Sequence, residues 1–207
     1  SDFYVLSSPQ RRLYILQQVN PLRSAYNMPQ IMPLPVGFDT ENLSQTFIRL
    51  IQRHESLRTS FQTVVDQPMQ KVHEPGEVEF DLEYYEDSSS NRIMEHFIRP
   101  FNLSQPPFLR AGLLKLGGQD GPPFMLVVDI HHIISDGVSQ DVLTRDFLLL
   151  HQHAGTDETL NEILPLLRIQ YKDFAEWQNS QLQIENRKQQ EAYWLAEFEG
   201  EIPVLKL

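Results

Sequence analysis

Seven residues, Phe124-Met125-Leu126-Val127-Val128-Asp129-Ile130, constrain this chain more than any other stretch. Apart from Asp129 they are apolar and rich in β-branched side chains, the composition of a strand buried on both faces. After Gly137 the period changes, because Val138, Val142, Leu143, Phe147 and Leu150 fall near helical spacing. Between the two patterns lies Ile130-His131-His132-Ile133-Ile134-Ser135-Asp136-Gly137, which therefore reads as a strand-to-helix junction.

Adjacent histidines at a strand end point to opposite sides if the pleat persists through them. One then faces the packed side and the other a cleft. Asp136, four residues after His132, sits in a turn whose Gly137 permits a special backbone conformation or the close approach of another group. A histidine with a nearby carboxylate suits acid/base or orienting work, while the plainer reading is polar loop sequence or a structural hydrogen bond. A metal site is not expected: the chain has no cysteine, and His54, His73, His96, His151 and His153 form no ligand set of familiar spacing.

Composition narrows the partners. With 17 Lys+Arg against 28 Asp+Glu, the net charge of −11 disfavours nucleic acid and anionic membrane surfaces. The lack of cysteine excludes a disulfide framework and fits a reducing cytosol. No apolar run reaches the length of a membrane span and no signal sequence opens the chain, so a cytoplasmic protein is expected. The 207 residues are enough for one domain or one lobe of a larger one.

Along the chain, Ser8 followed by Pro9 predicts a capped opening helix with a stripe of Leu13, Leu16 and Val19. The prolines at 29, 33 and 35 make 26–35 an edge or irregular strand. Asp39 or Thr40 is expected to cap a helix whose Leu43, Phe47, Leu50, Ile51 and His54 share a face, with Arg53-His54-Glu55 as its solvated end. A hairpin follows, with strand 57–65, a turn at Asp66-Gln67-Pro68 and a return at 69–72. Residues 78–85 alternate as a strand, and 87–90 look like a cap for a helix carrying Ile93, Met94, Phe97 and Ile98. Strand 108–116, a turn at 117–121 and strand 124–130 form an antiparallel pair. From Tyr171 to Phe198 the chain favours helix, with Gly200 as its stop. The aromatics Tyr171, Phe174, Trp177, Tyr193 and Trp194 read as core rather than a ligand platform, and the apolar tail at 203–207 looks cut rather than finished.

Four separated motifs, taken together, resemble the condensation domains of nonribosomal peptide synthetases. Ser7-Ser8-Pro9-Gln10-Arg11-Arg12-Leu13-Tyr14-Ile15-Leu16 resembles the first family motif, with Pro9 in place of alanine. Arg53-His54-Glu55-Ser56-Leu57-Arg58-Thr59-Ser60-Phe61 matches the second at every defined position, and His131-His132-Ile133-Ile134-Ser135-Asp136-Gly137 matches the third. Tyr171 to Trp177 resembles the fourth, with Glu176 replacing valine. The family's later motifs are missing.

The resemblance implies an α/β fold, a chloramphenicol-acetyltransferase-like lobe in which a mixed sheet is flanked by helices, and makes 1–207 the N-terminal lobe of a condensation domain without its C-terminal lobe. It implies amide formation between a carrier-bound acyl or peptidyl donor and an aminoacyl acceptor, both held as thioesters on phosphopantetheine arms. The lobe itself is expected to bind no cofactor; its partners would be the donor and acceptor carrier proteins, the C-terminal lobe and adjacent synthetase domains. His132 would act as base or positioning residue, His131 as a structural neighbour, and Gly137 as room for the arm. Asp136 is expected to orient the loop through a buried ion pair with Arg58 or, second, Arg12. Acyltransferases with a shorter H-x-x-x-D signature share the third motif alone. An epimerisation-type fragment or a non-catalytic docking lobe is the remaining alternative, and the lobe alone is expected to be nearly inactive.

Overall fold

The computed structural model describes residues 3–86, 90–116, 124–182 and 186–200. Its elements run β1 (Phe3–Val5), α1 (Ser8–Val19), β2 (Asn27–Leu34), α2 (Leu43–Arg53), a 3-10 turn (Glu55–Arg58), β3 (Thr59–Val64) and β4 (Gln67–Val72), then a second 3-10 turn (Pro75–Glu77) and β5 (Leu82–Glu86). They continue through α3 (Ser90–Phe97), β6 (Leu109–Lys115), β7 (Phe124–His131), α4 (Gly137–Gln152), α5 (Leu160–Ile163), α6 (Tyr171–Leu182) and α7 (Asn186–Glu197).

A mixed four-stranded sheet of order β2-β7-β6-β5 carries the junction, and a three-stranded sheet β1-β4-β3 stands apart from it. β7 is central and antiparallel to both neighbours, whereas β5 and β6 are parallel. From Leu126 to His131 every residue of β7 is buried, as its apolar run requires. Its Leu126, Val128 and Ile130 join the core packed by α2 and α4. The opposite face looks toward α3: a Cβ on Gly112, paired with Val127, would lie 3.0 Å from the Phe97 ring. Glycine there lets the aromatic ring reach the sheet. β2 occupies the edge, where Pro29 and Pro33 leave no central ladder incomplete.

Several sequence expectations shift. The cap of α1 is Ser7, one residue early, in a capping box with Gln10. Its buried face is Gln10, Tyr14 and Gln17, while Leu16 and Val19 are exposed. Polar side chains can be buried there because each has a partner: Tyr14 meets Thr63 at 3.1 Å and Gln17 donates to the Pro21 carbonyl at 3.2 Å. Asn42, not Asp39 or Thr40, occupies the cap of α2, and Asp39 instead accepts from the Glu41 and Asn42 amides. The hairpin turns on Val65 and Asp66, both at positive φ (49° and 61°), so Gln67 and Pro68 already belong to β4. A two-residue turn of this hand matches the strand twist, at the expense of a β-branched residue in the left-handed region.

Strand β5 begins only at Leu82. The helical span after Tyr171 comprises α6 and α7, with 183–185 outside the described residues. The aromatics expected as core are not core: Tyr171, Phe174, Trp177, Tyr193 and Trp194 are all exposed by 38% or more. Helix α6 makes its seat through Ala175, which is fully buried, and a small residue there leaves the ring-bearing face turned outward. The expected cap at 87–90, turn at 117–121 and tail at 203–207 lie outside the described residues or side chains.

Candidate active site

β7 delivers the two histidines into different surroundings. His131, 1% exposed, lies edge-on to Phe101 at 6.0 Å and tilted against Tyr26 at 6.2 Å. Its Nδ1 accepts the Ile133 amide at 3.0 Å, which puts any proton of the neutral ring on Nε2. Burial, with His132 and Arg110 adding to it, pushes this imidazole down to about 4, so it is neutral.

His132 follows the last strand residue and its side chain is exposed. Its amide donates to the Tyr26 carbonyl at 2.8 Å, continuing the β2–β7 ladder by one rung. Its ring Nδ1 lies 2.7 Å from the Ser135 carbonyl. A carbonyl only accepts, so Nδ1 carries a proton, and in the neutral ring Nε2 is the nitrogen that presents a lone pair. The turn Ile133-Ile134-Ser135 is buried, which makes that carbonyl a fixed acceptor.

Asp136 caps α4 and accepts from the Ser139 hydroxyl at 2.6 Å and the Ser139 amide at 2.8 Å. Those bonds, the hydroxyl first, hold its carboxyl below the usual range. The expected buried ion pair is not formed. Asp136 is exposed and pairs with neither Arg58 nor Arg12; Arg58 lies 3.6 Å from Glu55 and donates to the His73 carbonyl, and Arg12 is exposed on α1. A capping carboxylate finds its donors within its own turn and needs no distant cation. Gly137 has no positive φ, and a Cβ there would meet no atom within 4 Å. Its usefulness lies in open space rather than in a special conformation.

The buried ion cluster lies elsewhere, and it corrects the reading of Arg53-His54-Glu55 as a solvated end. Asp146, fully buried on α4, accepts from Arg53 Nε at 2.8 Å, Arg145 at 2.9 Å and His54 Nε2 at 3.0 Å. Burial works to raise its carboxyl, but the guanidinium hydrogen bonds outweigh it and hold the group below the usual range. Burial also pushes His54 down despite Asp146, so His54 donates as a neutral ring. Glu55 is bonded by Lys172, which ties the second motif to the fourth. The first and fourth are joined by Ser7 and Tyr171 at 2.9 Å, and the Ser8 amide donates to Gln178, one residue past the fourth motif, at 2.7 Å.

Sequence reasoning missed Asp146. The signal was present, since Leu143, Asp146 and Leu150 stand at i, i+3 and i+7, an apolar face with one carboxylate in it. Asp129, noted only as the exception in an apolar strand, is also fully buried, with Asn27 at 2.6 Å and Arg110 at 3.3 Å. Below the junction an apolar cavity of 320 Å³ opens between β2, β7 and α4, with Gln30 and Gln140 hydrogen-bonded at 2.6 Å on its lining. Among the described residues no group of three or more His, Asp or Glu side chains could hold a metal ion.

The local chemistry is thus one exposed histidine with a fixed tautomer at the mouth of a strand-to-helix turn. Proteins of known kind carry the same frame. The solved first condensation domain of the calcium-dependent antibiotic synthetase, in complex with a substrate analogue, superposes with a TM-score of 0.79 at 18% identity, covering 100% of this chain and 51% of that one. The starter condensation domain of the rhizomide synthetase gives 0.74 at 19% identity, covering 98% and 49%. These neighbours establish a chloramphenicol-acetyltransferase-like fold. In sequence the chain is 44% identical over 206 residues to tyrocidine synthase 3 of Brevibacillus parabrevis and 41% identical over 208 residues to surfactin synthase subunit 1 of Bacillus subtilis. Those matches cover the whole of this chain but only 3% and 5% of the relatives. The condensation-domain family model matches residues 1–207, and the chain belongs to the condensation domains of nonribosomal peptide synthetases.

Proposed function

We propose that the chain is the N-terminal lobe of a cytoplasmic, peptide-bond-forming condensation domain and that His132 serves the acceptor amine. The observation that carries this reading is the Ser135 carbonyl on His132 Nδ1, which leaves Nε2 as an exposed, oriented acceptor. The α-amine nitrogen of an aminoacyl thioester attacks the carbonyl carbon of the donor thioester. A C–N bond forms, the C–S bond breaks, and the amine proton passes through His132 Nε2 to the departing thiolate. An α-amine has a pKa of about 7.7–8.0, so part of it is neutral without help. Positioning the amine is then as valuable a role for Nε2 as removing its proton. The open space above Gly137 is where a phosphopantetheine arm from a donor or acceptor carrier protein would approach. His131 and Asp136 hold the junction in shape rather than touching substrate.

The test is a condensation assay with both substrates loaded on carrier proteins, using this chain with and without a separately supplied C-terminal lobe. Product only after complementation, reduced about 10²–10⁴-fold by His132→Ala, is the expected result. Wild-type rates from His132→Ala would remove that residue from both roles. No product from an assembled two-lobe complex would favour a docking module without catalysis.

A further inference from the structure

The end of β2 is held in an unusual way. β2 is an edge strand, and its odd-numbered positions include Pro29 and Pro33, which have no N–H to offer. The Asn27 amide turns back to the Ser24 carbonyl at 3.0 Å. Ladder bonds to β7 therefore come from the even-numbered residues, and the last of them is the Tyr26 carbonyl that holds the His132 amide. Past that rung the backbone has no further partner in β7.

What fastens this end is a side chain. Asn27, paired in register with His131, donates its Nδ2 both to Asp129 at 2.6 Å and to the Arg99 carbonyl at 3.0 Å. Asp129 is fixed in turn by Arg110, which also donates to the Arg99 and Pro100 carbonyls and stacks 3.6 Å over the Phe101 ring. That ring abuts His131. The segment before β6, the edge strand and the centre of β7 are thus gathered at one amide.

We propose that Asn27 is a positioning residue for His132, with Asp129 as its anchor: by fastening the end of β2 it fixes the Tyr26 carbonyl, and through it the backbone and ring orientation of His132. The kinetic part of this inference rests on the condensation reading. The geometric part does not.

Asn27→Ala, made in the complete condensation domain and read by ¹⁵N NMR of labelled histidines, tests the geometric part without turnover. The expected result is loss of the single Nδ1–H form of His132 while the His54 signals stay unchanged. In the carrier-loaded assay kcat falls about tenfold, consistent with a sub-ångström misplacement, with KM within twofold. Asn27→Ser, which keeps a short polar side chain, recovers part of both. An unchanged His132 tautomer, or a folded variant with wild-type kcat, overturns the proposal. So does unfolding of both variants at 25 °C, which would make Asn27 a folding determinant instead. Absence of turnover in the wild type, with the tautomer shift still seen, would count against the condensation reading alone.

Discussion

Asp129 and Asp146 are both fully buried, yet their surroundings drive them in opposite directions. Burial acts to raise both. At Asp146 it is outweighed by two guanidiniums at 2.8 and 2.9 Å and a histidine donor, and the carboxyl stays below its ordinary range. At Asp129 burial wins and the carboxyl is pushed up: the neutral Asn27 amide bonds it at 2.6 Å, but the Arg110 guanidinium stands at 3.3 Å and is shared with two carbonyls. Arg110 itself is pushed down to about 10, chiefly by burial. Depth alone does not set a charge state; the number and alignment of partners do. The α2–α4 cluster gathers three donors on one carboxylate, whereas the network behind the histidines is only partly satisfied: among the described residues Asp129 Oδ1, Asn27 Oδ1 and His131 Nε2 have no hydrogen-bond partner.

Asp146→Ala leaves Arg53 buried without its carboxylate and should destabilise the fold by about 3–5 kcal/mol in urea unfolding. A loss under 1 kcal/mol would mean that the cluster is ornamental. Next comes pH. His131 has its folded pKa lowered from 6.5 to about 4, so between those values the unfolded chain takes a proton that the folded chain refuses. Stability falls as pH drops through that window, by about 3 kcal/mol from this group. His54 contributes with the same sign. Asp146, depressed below 3.8, keeps its contribution across the window and loses it only at lower pH. In His131→Phe the slope between pH 6.5 and 4 should flatten, and an unchanged slope would place the acid lability elsewhere.

Asp129→Asn sharpens the contrast. A carboxyl already pushed toward its neutral form gives up less when replaced by an amide, so a loss of about 1–2 kcal/mol is expected. Equal costs for Asp129→Asn and Asp146→Asn would erase the distinction between the two networks. The smallest effect belongs to the third carboxylate. Asp136→Ala removes a cap from α4 and should lower stability by about 1 kcal/mol in thermal melts. A far larger loss would revive a long-range partner for Asp136.

Local order accounts for what was legible. The β7 run and the helical period after Gly137 were readable because they are patterns of neighbours, and the hairpin was placed to within two residues by its turn chemistry. The α1 face was misread because Gln10 and Gln17 look like surface residues until their partners are known. The aromatics of α6 and α7 were misread because ring content says nothing about which face is covered. Arg53 and Asp146 lie 93 residues apart, so neither announces the other.

By itself the sequence determined the strand-to-helix junction, the pair of histidines on it and the family motifs, since each depends on residues adjacent in the chain. Only the tertiary structure decided which histidine is buried, that Asp136 caps its helix instead of pairing with Arg58, and that Arg53, His54 and Asp146 form the buried cluster. Those outcomes depend on which donors and acceptors reach one another across the fold, and desolvation makes that distant choice decisive for every buried charge.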